Sequence, residues 1–262
     1  MNKKLTKIYS FLKANRKYNK IVQSSSYSRS LLSYTDTYDK VYSLLHHIHN
    51  TQSQLKMDAA AEFYQKIAAK KTNLASFKNL LKTLGATEKT PVTYKSLFEL
   101  LALQDSWGDK TAALFVKAVY NTHAGYAKQL KFWKDAPVTL AADDELYLPV
   151  DAVIYFIFEQ LGKPCSHTFK GINNYIKNNV AKSDFEVWDD LWFWGFITQK
   201  SKVGTGEREY QWNGAKYWLI FTAPKDAASV AELELLATGQ SSEQRLATNF
   251  LRLTGSPVST AK

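Results

Sequence analysis

The sequence predicts a mainly α-helical protein of two helical lobes with a cleft between them, and at most a small β-hairpin near residues 210–221. Three observations lead there. Glycine and proline are scarce, 11 and 6 in 262 residues, which leaves few of the turn formers that a β-rich chain needs. Hydrophobic residues make up 45% of the chain and aromatic residues 14%, ample for a packed core. The apolar residues recur mostly at three- and four-residue intervals, the period of an amphipathic helix.

Taken in order, residues 1–22 predict a basic helix with Leu5, Ile8, Leu12 and Ile21 on one side, broken by the run Ser24-Ser25-Ser26. Tyr38, Val41, Tyr42, Leu44, Leu45 and Ile48 mark the next helix. His46, His47 and His49 point to different faces, so a solvated helix end is expected rather than a metal site. Residues 56–71 and 74–84 predict two further helices, the second closed by Gly85. Residues 94–103 and Lys110–Asn121 predict helices joined by the Gln104–Asp109 turn into a helical hairpin. Residues 125–147 show no clear period, and Asp143-Asp144-Glu145 reads as surface.

Asp151–Leu161 predicts a strongly apolar helix ended by Gly162, with Pro164 beyond it. Helices follow at Phe169–Val180 and Asp184–Gln199, the latter carrying Trp188, Trp192 and Phe196 along one side and a solvated Asp189-Asp190 pair. Gly204–Glu207 reads as a loop. Tyr210–Trp212 and Tyr217–Phe221 form the expected hairpin around Asn213-Gly214, and Ala227–Leu253 is a final helical region before a loose tail. No internal repeat or low-complexity segment interrupts this plan.

Charge is unevenly spread. The net charge is +10, and the first 90 residues hold 16 Lys/Arg against 5 Asp/Glu, while the remainder is nearly balanced. A basic third on a neutral body points to a polyanionic partner. The single cysteine, Cys165, excludes an internal disulfide, a cysteine zinc site and a four-cysteine iron–sulfur cluster, and fits a reducing compartment. No long apolar run follows the basic N-terminus, so no secretory signal is expected. The apolar run at Val153–Phe158 is too short to span a bilayer.

Two stretches carry chemistry: Gln104-Asp105-Ser106-Trp107-Gly108-Asp109-Lys110-Thr111-Ala112, and Leu148-Pro149-Val150-Asp151. Each places a functional group at the start of a helix. Together, over roughly residues 94–162, they resemble the helix-hairpin-helix DNA glycosylases of the bifunctional Lys/Asp type, including the 8-oxoguanine branch. That family has a Leu-Pro-Gly-Val-Gly-x-Lys-Thr-Ala-like pattern followed by Val-Asp at a later helix start. Gly108, Lys110, Thr111, Ala112, Val150 and Asp151 match it. Ser106 stands where the first glycine is expected, Gln104-Asp105 replaces the Leu-Pro lead-in, and the 41 residues from Lys110 to Asp151 are about twice the usual separation, so an insertion near 125–147 is expected to loop out.

The resemblance implies a two-lobed fold containing a helix-hairpin-helix motif, divided into a basic segment at 1–90, a hairpin and catalytic region at 91–165 and a C-terminal helical region at 166–262. It implies a base-excision glycosylase with AP-lyase activity on double-stranded DNA, an oxidised purine being the expected lesion. Lys110 would be the Schiff-base nucleophile, since the positive end of a helix favours a neutral amine. Asp151 would stabilise positive charge on the sugar. Ser106, Trp107, Gly108 and Asp109 would grip a backbone phosphate. Trp107, Phe156, Trp192 and Trp194 are the candidates for holding a flipped base. Asp105 and Asp109 put negative charge beside that grip, which a monovalent or divalent cation at the hairpin would offset. No other metal or cofactor is expected, and the chain is expected to be monomeric, cytoplasmic and nucleoid-associated.

Two other readings fit the same residues. The hairpin grips DNA without chemistry, or the chain is a helical adaptor whose basic third binds an acidic protein. Read plainly, Lys110 is a solvated helix start and Asp151 an ordinary N-cap.

Overall fold

The computed structural model describes residues 3–52, 54–202, 205, 207–216 and 242–255. It is mainly helical, with one two-stranded antiparallel sheet among the described residues. The chain forms two compact units. One comprises Met1–Val22 with Val150–Lys262, the other Gln23–Pro149. These bounds cut across the three segments expected from sequence.

The central unit, Gln23–Pro149, contains the second half of α2 (Arg16–Leu31), then α3 (Thr37–His49), α4 (Met57–Ala68), α5 (Phe77–Leu84), α6 (Tyr94–Ala102) and α7 (Asp109–His123). The serine run does not break α2. Tyr18, Val22, Tyr27 and Leu31 are buried along it, and this packing outweighs the modest helix cost of three serines. The break falls earlier, at Asn15, whose side-chain amide donates to the Phe11 carbonyl at 2.8 Å. Gly85 closes α5 in the left-handed region at φ 115°, as its position predicts.

The stretch after α7 is strapped down rather than looped out. Asp135 accepts hydrogen bonds from the N–H groups of Phe77 and Lys78 at 2.9 and 3.0 Å, and Asp144 does the same for Tyr94 and Lys95 at 2.9 and 2.8 Å. Two carboxylates thus cap α5 and α6 from about fifty residues downstream, where the positive helix ends favour them. Asp144 is 1% exposed, so the acidic run is not plain surface. Trp133 donates its indole N–H to the Leu74 carbonyl, and Tyr147 stacks on Phe98 with ring centroids 4.1 Å apart.

The other unit contains α1 (Lys3–Ala14), the first half of α2, α8 (Ala152–Gln160), α9 (Phe169–Asn179), a 3₁₀ stretch at Lys182–Asp189, α10 (Asp190–Ile197), strands β1 (Gln199–Ser201) and β2 (Arg208–Tyr210), and α11 (Ser242–Thr254). Trp194 is fully buried at its centre, edge-on to Phe11 and Tyr18 and tilted against Phe250. The strands pair Gln199 with Tyr210, Lys200 with Glu209 and Ser201 with Arg208. The hairpin therefore lies earlier than expected. Asn213 accepts from the Lys216 N–H at 3.1 Å and opens a helical turn at 214–216, so Asn213-Gly214 starts a helix instead of reversing a strand. Residues 217–221 and 227–241 lie outside the described residues.

Asp189 and Asp190 are not solvated. Asp190 is 1% exposed, accepts from the Asn19 amide at 2.7 Å and lies 3.4 Å from Arg16, which also pairs with Glu186 at 2.7 Å. Burial, reinforced by Asp189, pushes the Asp190 carboxyl up to about 7 against the pull of Asn19 and Arg16. α10 meets α8 at Gly195, where an added Cβ would stand 2.5 Å from Val153 Cγ1 and 2.8 Å from Ile157 Cδ1. Gly195→Ala is therefore expected to cost about 1–3 kcal/mol by overpacking, read as a lowered urea midpoint.

Candidate functional site

The hairpin turn is built from α6 to α7. After the last turn of α6, the Trp107 N–H donates to the Gln104 carbonyl at 3.0 Å, and Gln104 uses its amide to hold the Leu84 and Leu100 carbonyls. Ser106 sits at φ 69°, the left-handed region that favours glycine. The turn thus keeps the conformation a glycine would allow, at the modest cost of a Cβ there. Two side chains hold it. The ring of His49 lies within hydrogen-bond distance of the Ser106 carbonyl at 3.1 Å, and the amide of Gln52 donates to it at 2.9 Å. The Ser106 hydroxyl lies 3.1 Å from the same His49 Nε2, so this ring nitrogen meets both the carbonyl and the side chain of the turn residue. Burial holds His49 below the ordinary histidine range.

Trp107 locks the turn into the core. It is 4% exposed, lies face to face with His49 at 4.7 Å and 7°, and contacts Phe63 and the edge of Phe115. One of the three histidines is thus a core aromatic rather than part of a solvated helix end, while His46 and His47 are exposed. With one face on His49, Trp107 acts as an anchor of the hairpin, not as an open platform for a base.

Gly108 is the N-cap of α7 and supplies no side-chain cap. The first-turn N–H groups of Asp109, Lys110 and Thr111 are the unsatisfied donors of a helix start. Asp105, Gly108 and Asp109 are exposed. Lys110 is half-buried in this first turn and makes no ion pair among the described residues. Ser106, Trp107, Gly108, Asp109 and Lys110 are thereby brought together in a single turn of the central unit.

Asp151 opens the other unit's α8. Its Oδ1 accepts from the Val153 and Ile154 N–H groups at 2.9 and 3.1 Å, leaving Oδ2 outside the cap. The Leu148 and Val150 side chains before it are buried. Sequence reading missed what surrounds this carboxylate. Gln199, fully buried, donates its amide to the Val153 carbonyl at 3.1 Å. Its backbone carbonyl accepts from Lys216 Nζ at 2.8 Å, and Arg208 reaches its side-chain oxygen at 3.4 Å. Lys216 Nζ lies 4.6 Å from the centroid of Phe196, which stacks on Trp192 at 5.1 Å and 18°. Burial and then Arg208 push the Lys216 ammonium below the ordinary lysine range, while the Asp151 carboxylate opposes them. No periodicity or motif in the sequence marks Lys216.

The four base-holding candidates are divided between the two units. Trp107 belongs to the core of the central unit and Trp194 to the core of the other. Phe156, tilted against Tyr210 at 4.8 Å, and Trp192 are half-buried in the unit that carries Asp151. Among the described residues, no three His, Cys, Asp or Glu side chains gather into a metal-binding group, and no helix is long and apolar enough to cross a membrane.

Comparison with protein-family models, curated proteins and solved structures finds no match to this chain.

Proposed function

We propose that this chain is a base-excision DNA glycosylase with associated AP-lyase activity, acting as a monomer on double-stranded DNA in the cytoplasm, at the nucleoid. The observation that carries this reading is the Ser106 turn. With φ at 69° and its carbonyl held by His49 and Gln52, it delivers Lys110 into an uncapped first turn of α7. The free N–H groups there suit a backbone phosphate. The Lys110 amine then attacks C1′ of the flipped nucleotide. The glycosidic C–N bond breaks, the base leaves with the bonding pair and takes up a proton, and opening of the sugar ring leaves an imine on Nζ. Asp151 stabilises positive charge developing on the sugar, its Oδ2 being outside the helix cap. An oxidised purine is the proposed lesion class, on the family resemblance alone.

Borohydride trapping on a duplex carrying 8-oxoguanine or an abasic site tests this. The wild-type chain is expected to form a covalent adduct as the imine is reduced to an amine. Lys110→Ala is expected to lower the yield by about a thousandfold or more while leaving the melting temperature unchanged. An adduct that survives Lys110→Ala overturns the assignment, and Lys216→Ala then shows whether the depressed lysine beside Asp151 is the nucleophile. Salt-sensitive duplex binding with no adduct assigns the hairpin to a non-catalytic grip. Absence of duplex affinity leaves the adaptor reading.

A further inference from the structure

A second basic site lies in the central unit, apart from the hairpin. A cleft of about 430 Å³ is lined by Arg29 and Ser30 from the end of α2 and by Ser43, His46, His47 and Asn50 from the last turns and C-cap of α3. The chemistry of that lining is one-sided. It offers a guanidinium, two imidazoles, two hydroxyls and an amide, and no carboxylate. Arg29 makes no ion pair among the described residues. Ser30 is only 6% exposed, yet neither its hydroxyl nor that of Ser43 has a hydrogen-bond partner among the described residues. The C-terminal ends of α2 and α3 contribute only carbonyl acceptors here, so the case for a tetrahedral anion rests on the side chains: two hydroxyls without partners, one unpaired cation and two rings able to take a proton.

We propose that this cleft binds a phosphate group, with Arg29 as the fixed charge, Ser30 and Ser43 as neutral donors, and His46 and His47 as donors that strengthen on protonation. The proposal does not depend on the catalytic reading of Lys110. The size of the cleft admits the sugar attached to a phosphate as well as the phosphate itself.

The electrostatics agree. The groups that act on His47 are Arg29 from α2 and His46 from α3. Desolvation in the cleft, then these two, hold its imidazole below the ordinary range. His47 Nε2 is within 3.1 Å of Ser26 Oγ, and His46 is held by the Asn50 amide at 3.1 Å and tilted against Tyr64. A bound dianion reverses the repulsion among three like charges, so binding takes up protons and tightens as pH falls through the histidine range.

The test is a titration of the intact chain with inorganic phosphate, following the histidine ring resonances by NMR at pH values either side of about 6.5. The His46 and His47 rings are expected to shift with phosphate present, and His47 to titrate at higher pH, while buried His49 and His123 do not move. Arg29→Gln is expected to weaken binding roughly tenfold or more, and His47→Gln to remove most of its pH dependence. Two further arms separate the sources of the group. A 5′-phosphorylated mononucleotide binding like inorganic phosphate assigns a terminal phosphomonoester. A duplex without terminal phosphates shifting the same rings, lost in Arg29→Gln, assigns the backbone diester. Rings that stay still with all three probes, or that shift equally in Arg29→Gln, overturn the proposal. Arg29 and His47 are exposed, so both variants are expected to fold with unchanged melting temperature.

Discussion

Trp107→Ala is expected to destabilise the central unit by about 4 kcal/mol, the usual scale for emptying a buried tryptophan site. The loss goes beyond volume. The indole is sandwiched among His49, Phe63 and Phe115, so removing it strips His49 of its stacking face. His49 in turn holds the Ser106 carbonyl, and the left-handed turn loses one of its two clamps. Urea unfolding followed by far-UV circular dichroism reads this as a shift in midpoint. Any accompanying fall in adduct formation is expected to track the unfolded fraction. A Trp107→Phe chain with full stability but abolished trapping would instead return Trp107 to a role in holding the base.

The second large effect is acid-sensitive. His123, 1% exposed at the end of α7, donates from Nδ1 to the Val119 carbonyl at 2.9 Å and accepts the Trp133 N–H on Nε2 at 3.1 Å. Only the neutral ring can do both, because protonation turns Nε2 into a donor facing a donor. Burial moves the folded-state value from the ordinary 6.5 down to about 4. The unfolded chain therefore binds a proton that the folded chain refuses. The stabilisation is fully present above about pH 6.5 and is lost as pH falls through the window to about 4, amounting to about 3 kcal/mol. Urea midpoints measured across that window test it. His123→Gln, whose charge cannot change, is expected to flatten the slope there, and an unchanged slope would sink the assignment.

Much of the helical frame is legible because its signals are local. The apolar period of α4 to α9, Gly85 after α5, Asp151 before α8 and Gly162 after it are each decided within a few residues. What escapes the sequence is decided at long range. His49 looks like its neighbours until Trp107, fifty-eight positions on, covers it. Asp144 reads as a surface charge, and Asp135 carries no signal, because the helix starts that they cap precede them by about fifty residues. Asn213-Gly214 satisfies a hairpin signal and a helix-start signal equally, and the pairing of β1 with β2 uses a different turn. The same division runs through the candidate site. Lys110 and Asp151 announce themselves as helix starts. The Lys216 ammonium is held by the carbonyl of Gln199 and the ring of Phe196, contacts that its local sequence does not signal.

One of the two units is discontinuous. Leu5, Ile8 and Leu12 of α1 are fully buried, and α1 packs on α11, with Phe11 5.7 Å from Phe250. During synthesis at ~5–20 residues per second, the partners of this first helix emerge on the order of ten seconds or more after it does. The segment from Gln23 to Pro149 forms a compact unit of its own and has been synthesised long before then. A nascent chain thus holds the whole Gln23–Pro149 segment and an α1 still without α11 at the same time. Chaperone binding and aggregation during expression are expected to arise in that interval, when the apolar face of α1 lacks α11.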